Sequence, residues 1–203
     1  MTSSELKIIE EEIKQCRKCR LWETRINAVP GEGPENAEVM FIGEAPGYNE
    51  DVQGRPFVGA AGKLLTSLIQ EVLGVSRADV YITNILKCRP PNNRDPLPSE
   101  VEACTPYLDK QINVIKPKVV VTLGRHSTKY ILSKLGVKIT GIMKVRGKVF
   151  EGEIFGLKIK VLPTYHPAAA LYNPKLKNFL TQDFKKIGEF LGKDVKRNLL
   201  SYL

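Results

Sequence analysis

Residues 38–84, EVMFIGEAPGYNEDVQGRPFVGAAGKLLTSLIQEVLGVSRADVYITN, contain two short apolar runs separated by a helical pattern. The runs EVMFIG at 38–43 and DVYITN at 79–84 have the length and apolar character of buried strands. Between them, GAAGKLLTSLIQEVLG at 59–74 spaces its leucines as in a helix and ends on a glycine, a common helix stop. Strand, helix and strand in this order indicate an α/β protein.

The rest of the chain continues this alternation. KVVVTLG at 118–124 is a third apolar run, and RHSTKYILSKLG at 125–136 follows it with helical spacing. VRGKVFEGEIFGLKIKVLPTYHP at 145–167 alternates with glycine turns, which predicts a hairpin and then a fourth buried strand ending near Pro163. We therefore predict a single three-layer α/β/α domain over residues 1–203, with a mainly parallel four-stranded central sheet.

Two further helices are predicted outside the strands, and a third opens the chain. SELKIIEEEIKQC at 4–16 spaces its isoleucines along one face and leads into the first two cysteines. A Ser-Glu-Val-Glu pattern at 99–102 is typical of a capping box and predicts a helix over Ser99–Ile115. The last helix is predicted over Pro174–Leu191.

The charge balance favours a polyanionic partner. Lysine and arginine number 31 against 22 aspartates and glutamates, which gives a net charge of +9. A membrane is the weaker candidate, because no apolar run approaches the ~18 residues of a spanning helix. The N-terminus is acidic where a signal peptide would be basic and then apolar, so we expect a cytoplasmic, nucleoid-associated protein. Charge that serves only solubility is the alternative.

Four cysteines form a pattern typical of a metal site. Cys16 and Cys19 are separated by two residues, and Cys88 and Cys104 follow much later in the chain. An intracellular chain rarely keeps structural disulfides, so a site with four thiolate ligands is the better interpretation. Both zinc and a [4Fe–4S] cluster accept four thiolates, and the spacing alone does not choose between them. Four unrelated buried thiols are a third alternative.

Ligands of parallel sheets bind beyond the carboxyl ends of the strands, which points to four loops. The loop after the first strand, from Glu44 to Val58, is rich in glycine and proline but lacks the GxGxxG and GxxxxGK[ST] patterns of nucleotide-binding proteins. His166 follows the fourth predicted strand, whereas His126 lies inside a helical pattern. His166 is therefore the better candidate for chemistry, although a lone histidine is more often structural.

Several motifs together resemble one family. GEAPG at 43–47 followed by an ED pair, GRPFVG at 54–59, YITNILKCRPP at 81–91, HPAAALYNP at 166–174 and the four cysteines in this order are similar to the family 4 uracil-DNA glycosylases of archaea and thermophilic bacteria. The likeness spans Cys16 to about Pro174. The related family 5 enzymes lack the acidic residue after the first motif glycine, so Glu44 favours family 4.

The resemblance implies a base-flipping DNA-repair hydrolase that releases uracil and leaves an abasic site. It also implies that Cys16, Cys19, Cys88 and Cys104 bind a [4Fe–4S] cluster. The implied partner is uracil-containing DNA, single- or double-stranded, with no membrane. A replication clamp is a further expected partner, and the chain is expected to act as a monomer.

The resemblance assigns uracil contacts to three side chains. The Asn84 amide offers an acceptor and a donor on one plane, which match N3–H and O4 of uracil, whereas cytosine presents the reverse. Phe57 offers an apolar face for stacking, and His166 can donate to uracil O2 as negative charge develops there. Backbone groups of Gly43 and Ala45 would complete the pocket. A turn-forming Asn84 and a core Phe57 are the alternatives.

Two carboxylates compete for the attacking water. We assign Glu44 to positioning the water or stabilising the sugar cation, and Glu50 to excluding the methyl group of thymine, with the reverse assignment left open. Asp51 is expected to form a cap or turn instead of touching the substrate.

Contacts to the rest of the DNA are expected from the motif loops. Leu171 and Tyr172 are candidates for an apolar wedge that holds the duplex open. Arg89, Arg94 and Lys87 are placed to meet phosphates, although a solvated basic loop explains them nearly as well.

Two other classes of protein share parts of this pattern. One is a non-catalytic iron–sulfur module that binds DNA for replication or repair, and intact Glu44, Asn84 and His166 count against it. The other is an electron-transfer protein built around the cluster, which the missing flavin and nicotinamide motifs disfavour.

Overall fold

The computed structural model describes residues 4–191, which form a central sheet with helices on both faces. The strand order is β2-β1-β3-β5-β4. The five strands are β1 Val39–Gly43, β2 Tyr81–Asn84, β3 Val119–Leu123, β4 Phe150–Ile154 and β5 Leu157–Thr164. The three pairings among β1, β2, β3 and β5 are parallel, and β4 pairs antiparallel to β5.

The predicted α/β/α class is confirmed, but the predicted count of four strands is corrected to five. The additional strand is β4, the first arm of the predicted hairpin. Phe155 and Gly156 form its turn, both with positive φ (54° and 78°), as two-residue hairpin turns require. Because β4 is an exposed edge strand with only Ile154 buried, its sequence lacks the apolar run that marks the other strands.

Eight helices of the described residues flank the sheet in two layers. They are α1 Glu5–Lys14, α2 Leu21–Thr24, α3 Tyr48–Gln53, α4 Ala60–Glu71, α5 Pro98–Ile115, α6 Arg125–Lys134, α7 Pro167–Tyr172 and α8 Lys175–Phe190. Helices α1, α5 and α6 pack on one face of the sheet, and α4, α7 and α8 pack on the other. Short 3-10 turns occupy Arg77–Asp79, Pro91–Asn93 and Ile142–Lys144.

Two local predictions differ from the structure. Helix α5 begins at Pro98 instead of Ser99, and the Glu100 carboxylate accepts from the backbone N–H of Leu97, so Ser99 is not the cap. The proline at the first helical position has no N–H to satisfy, which favours this earlier start. The loop predicted over 44–58 also contains the short helix α3.

Strand register places the predicted site loops at one edge. Gly43 pairs with Asn84, and Leu123 pairs with Thr164, so four strands end together. The residues that follow these ends therefore surround one region. None of the helices in residues 4–191 has the length and apolar character needed to cross a membrane. The predicted domain boundary of 1–203 stays a prediction, because 1–3 and 192–203 lie outside the described residues.

Candidate active site and metal centre

A cavity of about 330 Å³ opens at the carboxyl edge of the sheet. Six of the predicted site residues line it: Glu44, Ala45, Glu50, Phe57, Asn84 and His166. Gly43 lies behind this wall, where a Cβ would stand 2.3 Å from Asn84 Oδ1 and 2.6 Å from Phe57 Cζ. Only glycine therefore allows Asn84 and Phe57 to approach β1 this closely.

Asn84 is the last residue of β2, and its side chain is almost completely buried. Its Oδ1 atom has no hydrogen-bond partner among the described residues. An unpaired buried carbonyl costs about 1–3 kcal/mol, so this atom requires an explanation in a native fold. A ligand that donates a hydrogen bond inside the cavity provides one.

His166 is the N-cap of α7, and its imidazole is neutral with a defined tautomer. The Nδ1 atom accepts a hydrogen bond of 3.2 Å from the backbone N–H of Ala168, so the ring proton lies on Nε2. Burial lowers the pKa of His166 to about 4, against a smaller opposing effect of the Glu50 carboxylate. The ring therefore offers the cavity one N–H donor at neutral pH.

Phe57 is held in an unusual backbone conformation beside His166. Its φ is 51°, a value that side-chain-bearing residues rarely adopt, and the two rings stack with centroids 5.5 Å apart. Arg77 supports this conformation by donating to the carbonyls of Pro56 (2.5 Å) and Phe57 (3.2 Å). Gly62 of α4 permits it, since a Cβ there would lie 1.8 Å from the Phe57 carbonyl oxygen. Phe57 is both a core residue and a wall of the cavity.

The carboxylates of Glu50 and Asp51 both accept hydrogen bonds from backbone N–H groups of neighbouring segments. Glu50 Oε1 accepts from the N–H groups of Val58 and Gly59, each at 2.8 Å. Asp51 is buried, and its Oδ1 accepts from the N–H of Ile26 at 2.9 Å. The expected local cap or turn is not what Asp51 forms, because its carboxylate binds the backbone of Ile26 and Asn27, about 25 residues earlier in the chain.

Glu44 lies at the mouth of the cavity within a small charged cluster. Its Oε2 is 3.9 Å from His126 Nε2, which is itself 3.6 Å from Asp95 Oδ1. Burial raises the pKa of Glu44, and the nearby His126 opposes that shift. The helical pattern around His126 disfavoured it as a site residue, although its position just after β3 was a usable signal.

The residues expected to meet DNA divide into two groups. Tyr172 and Leu171, at the end of α7, are 91% and 48% exposed, as a wedge requires. Arg89 lies over the Tyr48 ring, and Arg94 lines the cavity while paired with Glu100 at 2.6 Å.

The expectation that Lys87 meets phosphates is wrong. Lys87 is 1% exposed, and its ammonium group donates to three oxygens inside the protein. Burial lowers the pKa of Lys87 to about 7. The motif places Lys87 between a site residue and a cysteine, and nothing in the local pattern indicates which way its side chain turns.

The four cysteines converge although they come from distant parts of the chain. Cys16 and Cys19 follow α1, Cys88 follows β2, and Cys104 lies in α5; all four line one small cavity. All four are free thiols. Burial raises the pKa of Cys104 to about 12, so without a metal this thiol is protonated at neutral pH.

Two donors approach the sulfur atoms. Arg25 Nη1 lies 3.1 Å from Cys88 Sγ, and the backbone N–H of Lys87 lies 3.2 Å from Cys104 Sγ. Donors of this kind stabilise the thiolates that form when cysteine thiols lose their protons on binding a metal. The donor set therefore fits a metal centre.

Several cavity residues were not predicted from the sequence. They are Pro46, Gly47, Ala61, Pro90, Asn93 and Ala168. Except for Asn93 these are apolar or small residues that carry no chemical signal of their own. Pro46, Gly47, Pro90 and Ala168 lie inside the quoted motifs, and Ala61 and Asn93 lie two residues beyond one, so only the resemblance could have pointed to them.

The fold and cavity define a class of protein that the comparisons identify. The family model described as the uracil DNA glycosylase superfamily matches residues 30–189, and the chain belongs to this superfamily. Within it, the Type-4 uracil-DNA glycosylase of Sulfurisphaera tokodaii is 60% identical over 197 residues, covering 97% of this chain and 89% of the relative. That of Saccharolobus solfataricus is 60% identical over 92% of this chain and 87% of the relative, and that of Archaeoglobus fulgidus is 54% identical over 96% and 97%. The resemblance to family 4 is confirmed.

Proposed function

We propose that this chain is a uracil-DNA glycosylase of DNA repair, and that the cavity binds a uracil flipped out of DNA. The observation that carries the proposal is the buried Asn84 amide, which lines the cavity together with a neutral histidine and whose Oδ1 lacks a partner among the described residues. Uracil N3–H supplies the missing donor to Oδ1, and O4 accepts from Nδ2. Cytosine presents an acceptor at N3 and a donor at N4, which leaves the amide mispaired.

The reaction is hydrolysis of the N-glycosidic bond. The bond between the sugar C1′ and uracil N1 breaks with both electrons going to the base, while a water adds to C1′ and loses a proton. Negative charge develops on uracil O2, where His166 Nε2–H can donate a hydrogen bond. The products are free uracil and an abasic site. A neutral donor suits this step because it has no net charge to desolvate in the ground state.

Glu44 is the carboxylate that we assign to the water or the sugar cation. Its side chain is partly exposed, and no backbone N–H donates to it in the described residues, so its oxygens are free for substrate. Both close contacts of Glu50 Oε1, in contrast, go to the loop of Val58 and Gly59. Glu50 can still exclude the thymine methyl group by bulk, because it lines the cavity.

DNA binding extends from the cavity to its rim. Leu171 and Tyr172 are assigned to the space that the flipped nucleotide leaves, and Arg89 and Arg94 to neighbouring phosphates. Action as a monomer, association with the nucleoid and recruitment by a replication clamp stay predictions. Analytical ultracentrifugation and co-purification with a sliding clamp test the first and the last of these.

The cysteine site is proposed to hold a [4Fe–4S] cluster. Four cysteines converge on one small cavity, and N–H groups approach two of their sulfurs, as a centre with four thiolate ligands requires. The likeness to Type-4 uracil-DNA glycosylases favours the cluster over zinc. Bound there, the cluster would supply a covalent tie between the segment after α1 and α5. Protein purified without oxygen from iron-replete cells should be brown, with absorption near 400 nm; stoichiometric zinc in a colourless protein would contradict the proposal.

The test of activity is release of free uracil from a single uracil in an oligonucleotide. The wild type should release it, which neither a non-catalytic DNA-binding module nor an electron-transfer protein would do. Asn84→Asp should weaken uracil release, because an ionised carboxylate cannot donate to O4. Unchanged release by this variant would remove Asn84 from the pocket, and no release by the wild type would refute the activity.

A further inference from the structure

Lys87 is a buried cation that the proposed reaction does not use. Its ammonium group donates to Thr83 Oγ1 (2.5 Å), to the backbone carbonyl of Asn84 (2.9 Å) and to Gln111 Oε1 (2.7 Å). All three acceptors are uncharged, and no carboxylate pairs with Lys87 among residues 4–191. The opposite charges near it are the Cys88 and Cys104 thiolates of the proposed metal centre, and burying a lysine still costs more than burying an apolar side chain of the same length. The burial of Lys87 therefore needs an explanation.

The three acceptors belong to a network in which each buried side-chain oxygen and nitrogen has at least one partner. Gln111 donates through Nε2 to the Pro30 carbonyl (2.9 Å) and to the Tyr81 hydroxyl (3.0 Å). Thr83 Oγ1 donates to the same Pro30 carbonyl at 2.8 Å. Buried networks that are fully satisfied make the local structure rigid. Lys87 is the member that connects this network to the end of β2.

The carbonyl of Asn84 needs such a partner because β2 is the outermost strand of the sheet. On its open side β2 is covered only at Ile82, which forms an isolated bridge with Glu32. Two residues further on, the Asn84 carbonyl lies beyond that bridge, and Lys87 turns back to donate to it. The lysine thus completes the edge of the sheet at the residue that faces the base.

The orientation of the Asn84 side chain depends on this backbone hydrogen bond. Its Oδ1 has no partner among the described residues, so its amide orientation is set by backbone position and by the close approach of Gly43 and Phe57. A small rotation at the end of β2 would displace both the acceptor and the donor that match uracil. The backbone of Lys87 is itself held in place, because its N–H donates a hydrogen bond to Cys104 Sγ at 3.2 Å.

We infer that Lys87 is a positioning residue for uracil recognition, which holds the Asn84 carbonyl so that the Asn84 amide meets the base in one orientation. The inference rests on the proposed function. Lys87 does not line the cavity and touches no part of the substrate, so its effect must pass through Asn84.

A double-mutant cycle between Lys87→Met and Asn84→Ala tests the inference. Single-turnover uracil release and the affinity for free uracil are measured on the holoprotein. Lys87→Met alone should lower both at least tenfold. In the Asn84→Ala background the same change should lower release less than twofold, because the residue through which Lys87 acts is already absent. Equal losses in both backgrounds would show a general structural role and overturn the inference, as would a loss below twofold for Lys87→Met alone.

Two controls keep the outcome interpretable. Lys118→Met removes a lysine that is 72% exposed and paired with Glu38 away from the cavity, and it should change neither quantity. If Lys87→Met does not fold, as judged by the thermal midpoint and the absorption near 400 nm, Gln111→Leu replaces it. That variant removes one acceptor of Lys87 and should lower release about threefold in the wild-type background only. A wild type that releases no uracil would refute the proposed function, whereas additive losses with an active wild type would refute this inference alone.

Discussion

At the scale of single residues, the His166 ring combines an observed structural role, the cap of α7, with the chemical role proposed for it. Its Nδ1 accepts the hydrogen bond that caps α7, which leaves Nε2–H for the substrate. The alternative that His166 is a structural histidine is therefore partly right, since the ring that lines the cavity also caps the N-terminus of α7. Separating the two tasks requires variants that lose only one of them.

His166→Ala should slow the chemical step of uracil release by about 10²–10³, the range found when one donor to a developing anion is removed. Binding to undamaged DNA should barely change, because that affinity depends on contacts between basic side chains and phosphates. Single-turnover cleavage and a binding titration at the same salt concentration measure the two effects. Cleavage within threefold of the wild type would make His166 purely structural.

The depressed pKa of His166, about 4 in the folded protein, predicts how stability depends on pH. Between pH 6.5 and 4 the unfolded chain binds a proton at this histidine and the folded protein does not, so stability falls as pH falls through that window. Above pH 6.5 the contribution is fully present. His166→Asn keeps an N-cap acceptor but cannot titrate, so its thermal midpoint should fall less steeply over the same range. Parallel curves for both proteins would refute the assignment.

How much the sequence predicts at this scale depends on the kind of signal. Asn84, Phe57 and His166 were identified through the family resemblance, while their patterns alone suggested a turn, a core residue and a structural histidine. The burial of Lys87 could not be predicted, because its acceptor Gln111 is 24 residues away on α5. Local pattern does not report contacts of that kind.

At the scale of elements, one arginine holds the loop between α3 and α4 in its strained form. Besides the carbonyls of Pro56 and Phe57, Arg77 contacts Thr66 Oγ1 at 3.1 Å and Glu32 Oε1 at 3.2 Å. The positive φ of Phe57 costs free energy that these contacts offset. The shape of one cavity wall therefore depends on a side chain outside the cavity.

Arg77→Met should weaken uracil affinity about tenfold and destabilise the fold by about 1–3 kcal/mol, since buried carbonyls lose their donor. Arg55→Met is the matched control, because Arg55 also pairs with Glu32 (2.7 Å) but is exposed and contributes about 0–1 kcal/mol. Inhibition by free uracil and thermal unfolding measure both quantities. Similar behaviour of the two variants would mean that the loop keeps its form without Arg77.

The elements themselves were largely predictable where burial imposes a clear period. The apolar runs of β1, β2 and β3 mark strands that are buried on both faces. Strand β4 was predicted only as an arm of a hairpin and was not counted in the sheet, and the six-residue helix α3 was predicted as a loop, because neither buries a periodic apolar face. Their positions depend on packing against neighbouring elements, which the local sequence pattern does not identify.

At the scale of the whole molecule, the cysteine site joins segments that the chain separates widely. Cys16 and Cys19 lie near the N-terminus, whereas Cys88 lies in the loop between β2 and α5 and Cys104 lies within α5. The same loop contributes Pro90, Asn93 and Arg94 to the cavity wall. Loss of the metal should therefore affect both stability and the cavity.

Cys16→Ser and Cys104→Ser should each abolish the absorption near 400 nm and lower the thermal midpoint by about 10 °C or more, because metal binding contributes directly to folding. The double variant should unfold with a free energy within about 1 kcal/mol of that of the less stable single variant, since both changes remove the same bound group. Absorption spectra and thermal scans provide the measurement. Additive losses would indicate two independent buried thiols and no shared centre.

Helix α7 carries His166 before its first residue and Tyr172 as its last. With a rise of 1.5 Å per residue, the two are separated by only about 9 Å along one short rod. On the roles proposed for Tyr172 and His166, insertion of the exposed end into a duplex and delivery of the imidazole to a base would be one coupled movement. A nucleotide displaced by the wrong distance would then lie out of reach of the imidazole, so the depth of insertion would select which displaced bases are released.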